Sequence, residues 1–164
     1  MLNDATRNLV WQGQLDMVRL ARYYGALEQK YRRKHKWVRY TLSLAAVVTA
    51  LPLIPAVPGT VASVAGICVV GLVVWDLVHD YGRKVAALRV AVEGLNELAE
   101  RHRSLWDEVN DDSLNERQAR ERAEALRVAS LNLLRGIDIE IDTALNERCQ
   151  SEAFESEQQR YAAG

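Results

Sequence analysis

Three histidines, two cysteines and one dense run of cations are the residues here whose types could do chemistry. His35 lies in "KYRRKHKWVR", His79 follows a long apolar stretch, and His102 falls on an apolar seam. A histidine on such a seam reads first as a register-setting polar group rather than a proton shuttle. No arginine stands before any of the three in R-x(4-6)-H form, so that ribonuclease arrangement is missing. Cys68 and Cys149 show neither disulfide-framework nor metal-ligand spacing. There is no glycine-rich phosphate loop, nucleophile elbow or cluster of metal ligands. The expectation is a protein that is not an enzyme and that uses no cofactor and no metal. The cation run is the exception. Arg32, Arg33, Lys34 and Lys36, interleaved with Tyr31 and Trp37, form a surface for phosphates. Cations mixed with aromatics can bind nucleic acid. Their position beside an apolar segment makes lipid headgroups the expected partner ahead of nucleic acid.

That segment must position everything else. Tyr40 to Trp75 is 36 residues without a charge. One spanning helix needs roughly 20 apolar residues, so the run fits two short spans. Pro52, Pro55, Pro58 and Gly59 mark the turn between them. The legs are predicted over 37–54 and 60–77, each ~27 Å long at the α-helical rise. A soluble domain burying this hairpin is disfavoured. A core helix keeps a polar stripe at helical period, and these legs carry only Thr41, Ser43, Thr49, Thr60 and Ser63. Thr41, Thr49, Thr60 and Ser63 are candidate pore-lining residues. About a turn centred at Val57–Pro58, Arg39 and Asp76 fall at one depth, which predicts a hairpin charge pair. Tyr40 and Trp75 fall together in the interfacial belt. Small residues at Ala45/Thr49, Ala46/Ala50 and Ala62/Gly66 allow close helix approach, within one hairpin or between copies.

The formal net charge of −1 hides an asymmetry. Met1–Arg39 holds nine Lys/Arg against three Asp/Glu, and Asp76–Gly164 holds twelve against nineteen. Lys and Arg flank both outer ends of the hairpin and none occupies the turn, which places both termini in the cytoplasm. No apolar h-region follows the N-terminal Met, so no cleavable signal peptide is expected. Residues 1–36 read as a basic amphipathic helix, 37–77 as the transmembrane hairpin, 78–148 as a cytoplasmic antiparallel helical hairpin and 149–164 as a frayed tail. Val85, Leu88, Val92, Leu95, Ala99, His102, Trp106 and Val109 recur at steps of three and four. This is a coiled-coil-like seam, predicted to run straight on from the second leg and to serve self-association. Ser113 with Glu116 predicts a capping box and a returning helix, its face carrying Leu126, Ala129, Leu133, Ile137, Ile141 and Leu145. The fold class is thus all-α: a two-span hairpin, an N-terminal amphipathic helix and a C-terminal cytoplasmic helical hairpin.

This order resembles the SLATT superfamily of bacterial two-transmembrane effectors, which includes DUF4231-type proteins. The resemblance rests on the plan from Val10 to Leu145 and on "DLVHDYGRKVAALRVAVEGLNELAERHRSLWDEV", with Ala99, His102, Trp106 and Val109 at positions the family fills similarly. In plan the chain is also similar to membrane accessory proteins of type VI CRISPR systems. The resemblance implies an antiphage effector of the bacterial inner membrane. Such an effector self-assembles into a homo-oligomer and forms a pore or disrupts the bilayer on an infection signal. No fused sensor domain is expected in this chain, so the trigger is expected from a separate sensor or partner protein, or from the oligomer itself. The alternative is a non-lytic anchor whose helical domain recruits a cytosolic partner.

Overall fold

In a computed structural model the described residues are 3–50, 59–137, 139 and 141–162, without the side chains of 48–50, 59, 61, 62, 65 and 77. They form five helices: α1 (Asp4–Ala50), α2 (Gly59–His79), α3 (Tyr81–Asn110), α4 (Glu116–Leu134) and α5 (Thr143–Ala162). The predicted turn at 51–58 lies outside the described residues. Contacts divide the chain into one unit of Met1–Leu27 with Ala87–Gly164 and a second of Glu28–Ala86.

The first unit is a helical bundle. From α1 it buries Val10, Gln14, Met17 and Ala21, a stripe at alternating steps of four and three, and Leu27 beyond it. From α3 it buries Leu88, Leu95, Leu98, Ala99, His102, Leu105 and Val109. Ala119 and Ala123, early in α4, cluster with Leu105 and Val109, late in α3. Gly94, midway along α3, faces Leu133, late in α4. The two helices are therefore antiparallel, as the sequence predicts. The seam itself is filled from within the chain: Leu95 and Ala99 pack against Met17, Val18, Ala21 and Ala153. Leu88, Leu95 and His102 are buried and Trp106 half-buried in one copy, as are Val85 and Val92 in part. Leu88, Leu95 and His102 are thus core within one copy, because an apolar stripe takes whichever helix face lies nearest.

Three boundaries differ from the predicted ones. Asp80 adopts φ 42° between α2 and α3, so the helix does not run straight through. Aspartate tolerates this left-handed conformation better than most residues. The capping box belongs to Asn115 and Gln118, not Ser113 and Glu116. Ser113 instead finishes α3, its hydroxyl donating to the Glu108 carbonyl at 2.8 Å. The returning helix stops at Leu134, with Gly136 at φ 88°, a conformation glycine adopts without a Cβ penalty. Ile141 is consequently exposed.

The fourth difference is the largest. The segment predicted as a frayed tail is α5, and the 148/149 boundary cuts through it. Asp142 starts the helix by accepting the Leu145 N–H at 3.1 Å, while its own N–H donates to the Tyr23 hydroxyl at 2.9 Å. The buried stripe of α5 is Cys149, Ala153 and Glu157. Two small residues and a carboxylate bury little apolar area, so polar contacts must hold the helix. Glu157, 2% exposed, accepts from Gln14 Nε2 at 2.5 Å and from Arg103 Nη2 at 3.1 Å. Arg22 donates to the Glu152 carbonyl at 2.8 Å and to Ser156 Oγ at 2.7 Å. Trp11 meets the Trp106 ring at 5.1 Å and the Tyr161 ring at 5.6 Å.

His102 sits beside this network, 1% exposed, with neither ring nitrogen hydrogen-bonded. Its ring lies over Gly13, where a Cβ would meet Cε1 at 2.8 Å, so only glycine admits it. Burial lowers the His102 pKa below the ordinary 6.5, and the Asp16 charge opposes this in part. Below about pH 6.5 the unfolded chain then binds a proton that the folded chain resists. Stability is fully present above that pH and falls as pH drops toward the depressed folded value. We expect the stability difference between wild type and His102→Leu to shrink, or reverse in the variant's favour, between pH 7 and pH 5 in urea titrations. A pH-independent difference would remove His102 from the acid response.

Candidate functional site

The second unit exposes what a folded protein normally buries. Along α1, Trp37 (71% exposed), Tyr40, Leu44 and Val47 project outward at steps of three and four. Along α2, Val64, Ile67 (74%), Val70, Val73, Val74, Trp75 and Val78 do the same. At 100° per residue the α2 positions cover more than half of the helix circumference. The half-buried positions form one stripe on each helix: Tyr31, His35, Val38, Leu42 and Ala45 with Thr41 beside them on α1, and Gly66, Val69, Leu72, Asp76 and His79 on α2. A helix with one neighbour can bury one stripe, and the rest of an all-apolar helix must then face something other than protein. Contiguous apolar surface on this scale marks a site of interaction with another protein or with lipid. Among the described residues no helix is long and apolar enough to cross a membrane. The uncharged part of α1 up to Ala50 is ~20 Å or less and that of α2 up to Trp75 ~25 Å, against a hydrocarbon layer of roughly 30 Å.

Aromatic and cationic side chains gather where these apolar stretches end. Trp75 stacks on His79 at 4.1 Å, His79 on Tyr81 at 5.5 Å, and Tyr81 meets Tyr31 at 6.1 Å. Lys34 Nζ and Lys84 Nζ lie 5.8 Å and 6.0 Å from the Tyr31 ring centre. His35 approaches Gly82 from the facing element. His79 Nδ1 lies 3.0 Å from the Trp75 carbonyl. Tyrosine and tryptophan, each with an apolar body and a polar edge, suit the boundary between hydrocarbon and headgroups.

Of the predicted cation set, Arg32 lies 4.0 Å from Glu28, Lys34 joins the aromatic cluster, and Arg33 and Lys36 are exposed. Lys84 was not in that set, because it lies fifty residues further along the chain. The predicted pair of Arg39 and Asp76 is not formed among the described residues. Arg39 is exposed, and Asp76 Oδ1 is enclosed without a hydrogen-bond partner. Equal distance from an assumed turn centre fixes depth but not the rotation of each helix, so it does not make two side chains face each other. The candidate pore line is equally dispersed. The Thr41 hydroxyl donates to its own helix at the Val38 and Trp37 carbonyls, 2.8 and 3.0 Å away. Thr60 and Ser63 are exposed on α2, and the Thr49 side chain lies outside the described residues. Among the described residues no group of three or more His, Cys, Asp or Glu could hold a metal. Cys149 is buried, which raises its thiol pKa and keeps it protonated.

Comparison with protein-family models, curated proteins and solved structures returns no match.

Proposed function

We propose that this chain is a helical membrane effector whose second unit inserts its apolar surface into the inner membrane as a two-helix hairpin. Both termini stay on the cytoplasmic side, and copies self-assemble to permeabilise the bilayer in an antiphage response triggered by a separate sensor protein. The observation that carries the reading is the outward apolar face of α2 together with that of α1. Lipid, or other copies in lipid, covers both at once without a polar stripe. The aromatic and cationic cluster where these faces end supports it, since it supplies interface anchors and headgroup contacts together. With the α3 seam largely filled within one copy, the outward faces of α1 and α2 offer the surface for self-assembly, with open space beside Gly66 and Gly71.

One observation favours the non-lytic anchor as a second reading. The Thr41 and Ser43 hydroxyls are both engaged by their own backbone, as on helices facing lipid, and offer no polar lining. Dye-loaded vesicles separate the two. The effector reading expects the chain to float with vesicles and release dye as protein concentration rises. Flotation without release is the anchor, and a chain that stays with the aqueous fraction ends both.

A further inference from the structure

We propose that Lys34 and Lys84, converging on the Tyr31 ring, form a discrete site for the phosphate of one anionic phospholipid headgroup. This rests on the membrane reading above and adds a defined ligand and defined residues to it.

The two lysines come from different helices. Lys34 is on α1 and Lys84 is in the first turn of α3, yet both ammonium groups lie within about 6 Å of one ring centre. A tyrosine face attracts a cation. It does not cancel the repulsion between two cations that share it. No ion pair among the described residues includes either lysine. Glu28 lies 4.0 Å from Arg32, and Asp80 Oδ1 accepts the Arg83 backbone N–H at 3.4 Å. Two like charges gathered beside one ring, neither of them in an ion pair among the described residues, favour an anion near them.

The surroundings define which anion. Ammonium groups are point donors, without the planar fork with which arginine matches a carboxylate. Two of them from different directions suit a tetrahedral phosphate, whose oxygens point several ways. The site's wall is built: Tyr81 is buried and meets Tyr31, and His79 and Trp75 continue the aromatic stack toward the apolar face of α2. A lipid whose phosphate lies between the lysines would lay its acyl chains along that stack and face. A free phosphate would use only the lysines. The continuity of cations, aromatics and apolar surface points to the lipid.

The test uses the full chain in neutral detergent, with lipid retention read by native mass spectrometry. Phosphatidylglycerol is expected to be retained as a single copy, and phosphatidylcholine is not. Lys34→Ala and Lys84→Ala should each weaken retention about fivefold, the worth of one lysine near an anionic headgroup. Arg83→Ala, the same loss of charge one residue from Lys84 at an exposed position outside the Tyr31 pair, should leave it within about twofold. Equal weakening by all three would mean diffuse attraction and overturn the site. Inorganic phosphate bound in a Lys84-dependent way, with no lipid retained, would reassign it to a soluble anion. Flotation with purely neutral vesicles, measured in parallel, reports on the membrane reading alone. Variants that float normally but retain lipid like wild type overturn the site and leave that reading standing.

Discussion

Glu157→Ala is expected to destabilise the first unit by about 3 kcal/mol, the low end for breaking one side of a buried ion pair. Arg103 is left partly enclosed, though it keeps a contact with Glu100, which moderates the loss. Gln14 Nε2 loses its 2.5 Å acceptor. Little apolar area holds α5 in place, since Cys149 and Ala153 are its only other buried side chains among the described residues. The loss should therefore be local first. Hydrogen exchange is expected to accelerate through 143–162 before the α1, α3 and α4 core responds. Glu157→Gln keeps an acceptor for Arg103 and should cost about 1 kcal/mol, the net worth of an ordinary hydrogen bond. Chemical denaturation with exchange mass spectrometry checks both. If Glu157→Ala unfolds at the wild-type midpoint with α5 still protected, the polar latch does not hold the helix.

Lysine at both Ile67 and Val70 is expected to abolish membrane insertion. These residues lie near the middle of α2, and each is exposed on its outward apolar face. A lysine at the centre of a membrane helix costs about 3 kcal/mol on insertion scales, so two together exceed what a short apolar hairpin tolerates. Because both side chains already face outward, the first unit should fold as before, with an unchanged thermal transition in the aqueous fraction. That pairing of lost flotation with intact folding is the informative result. Double-lysine protein that still floats with neutral vesicles would show that the α2 face is not the one that meets lipid. Lysine at Leu72, on the half-buried stripe, should instead disturb the packing of α2.

Much of this protein is legible in the sequence because it is written in large apolar side chains at regular spacing. The all-helical class, the uncharged apolar run of Tyr40–Trp75 and the antiparallel return of α4 on α3 follow from period and charge alone. The cation run at Arg32–Lys36 needs no fold to be seen. Other features depend on partners that no local window contains. The seam from Leu88 to Val109 announces that it will be buried, but not by what. The stripe of α1 fills it, and two complementary stripes on one chain meet at far higher effective concentration than stripes on two copies. The last helix escapes a periodicity search because its inward face is cysteine, alanine and glutamate. Glu157 reads as solvated charge until Arg103, 54 positions away, and Gln14, 143 positions away, are brought to it. Gly13 carries no signal until the His102 ring lies over it. Lys84 likewise becomes part of the Lys34 site only when α3 delivers it to Tyr31. Apolar burial is non-directional and is encoded residue by residue. A buried hydrogen bond or a shared ring requires two specific groups at one place, and for groups so far apart in the chain only the tertiary structure puts them there.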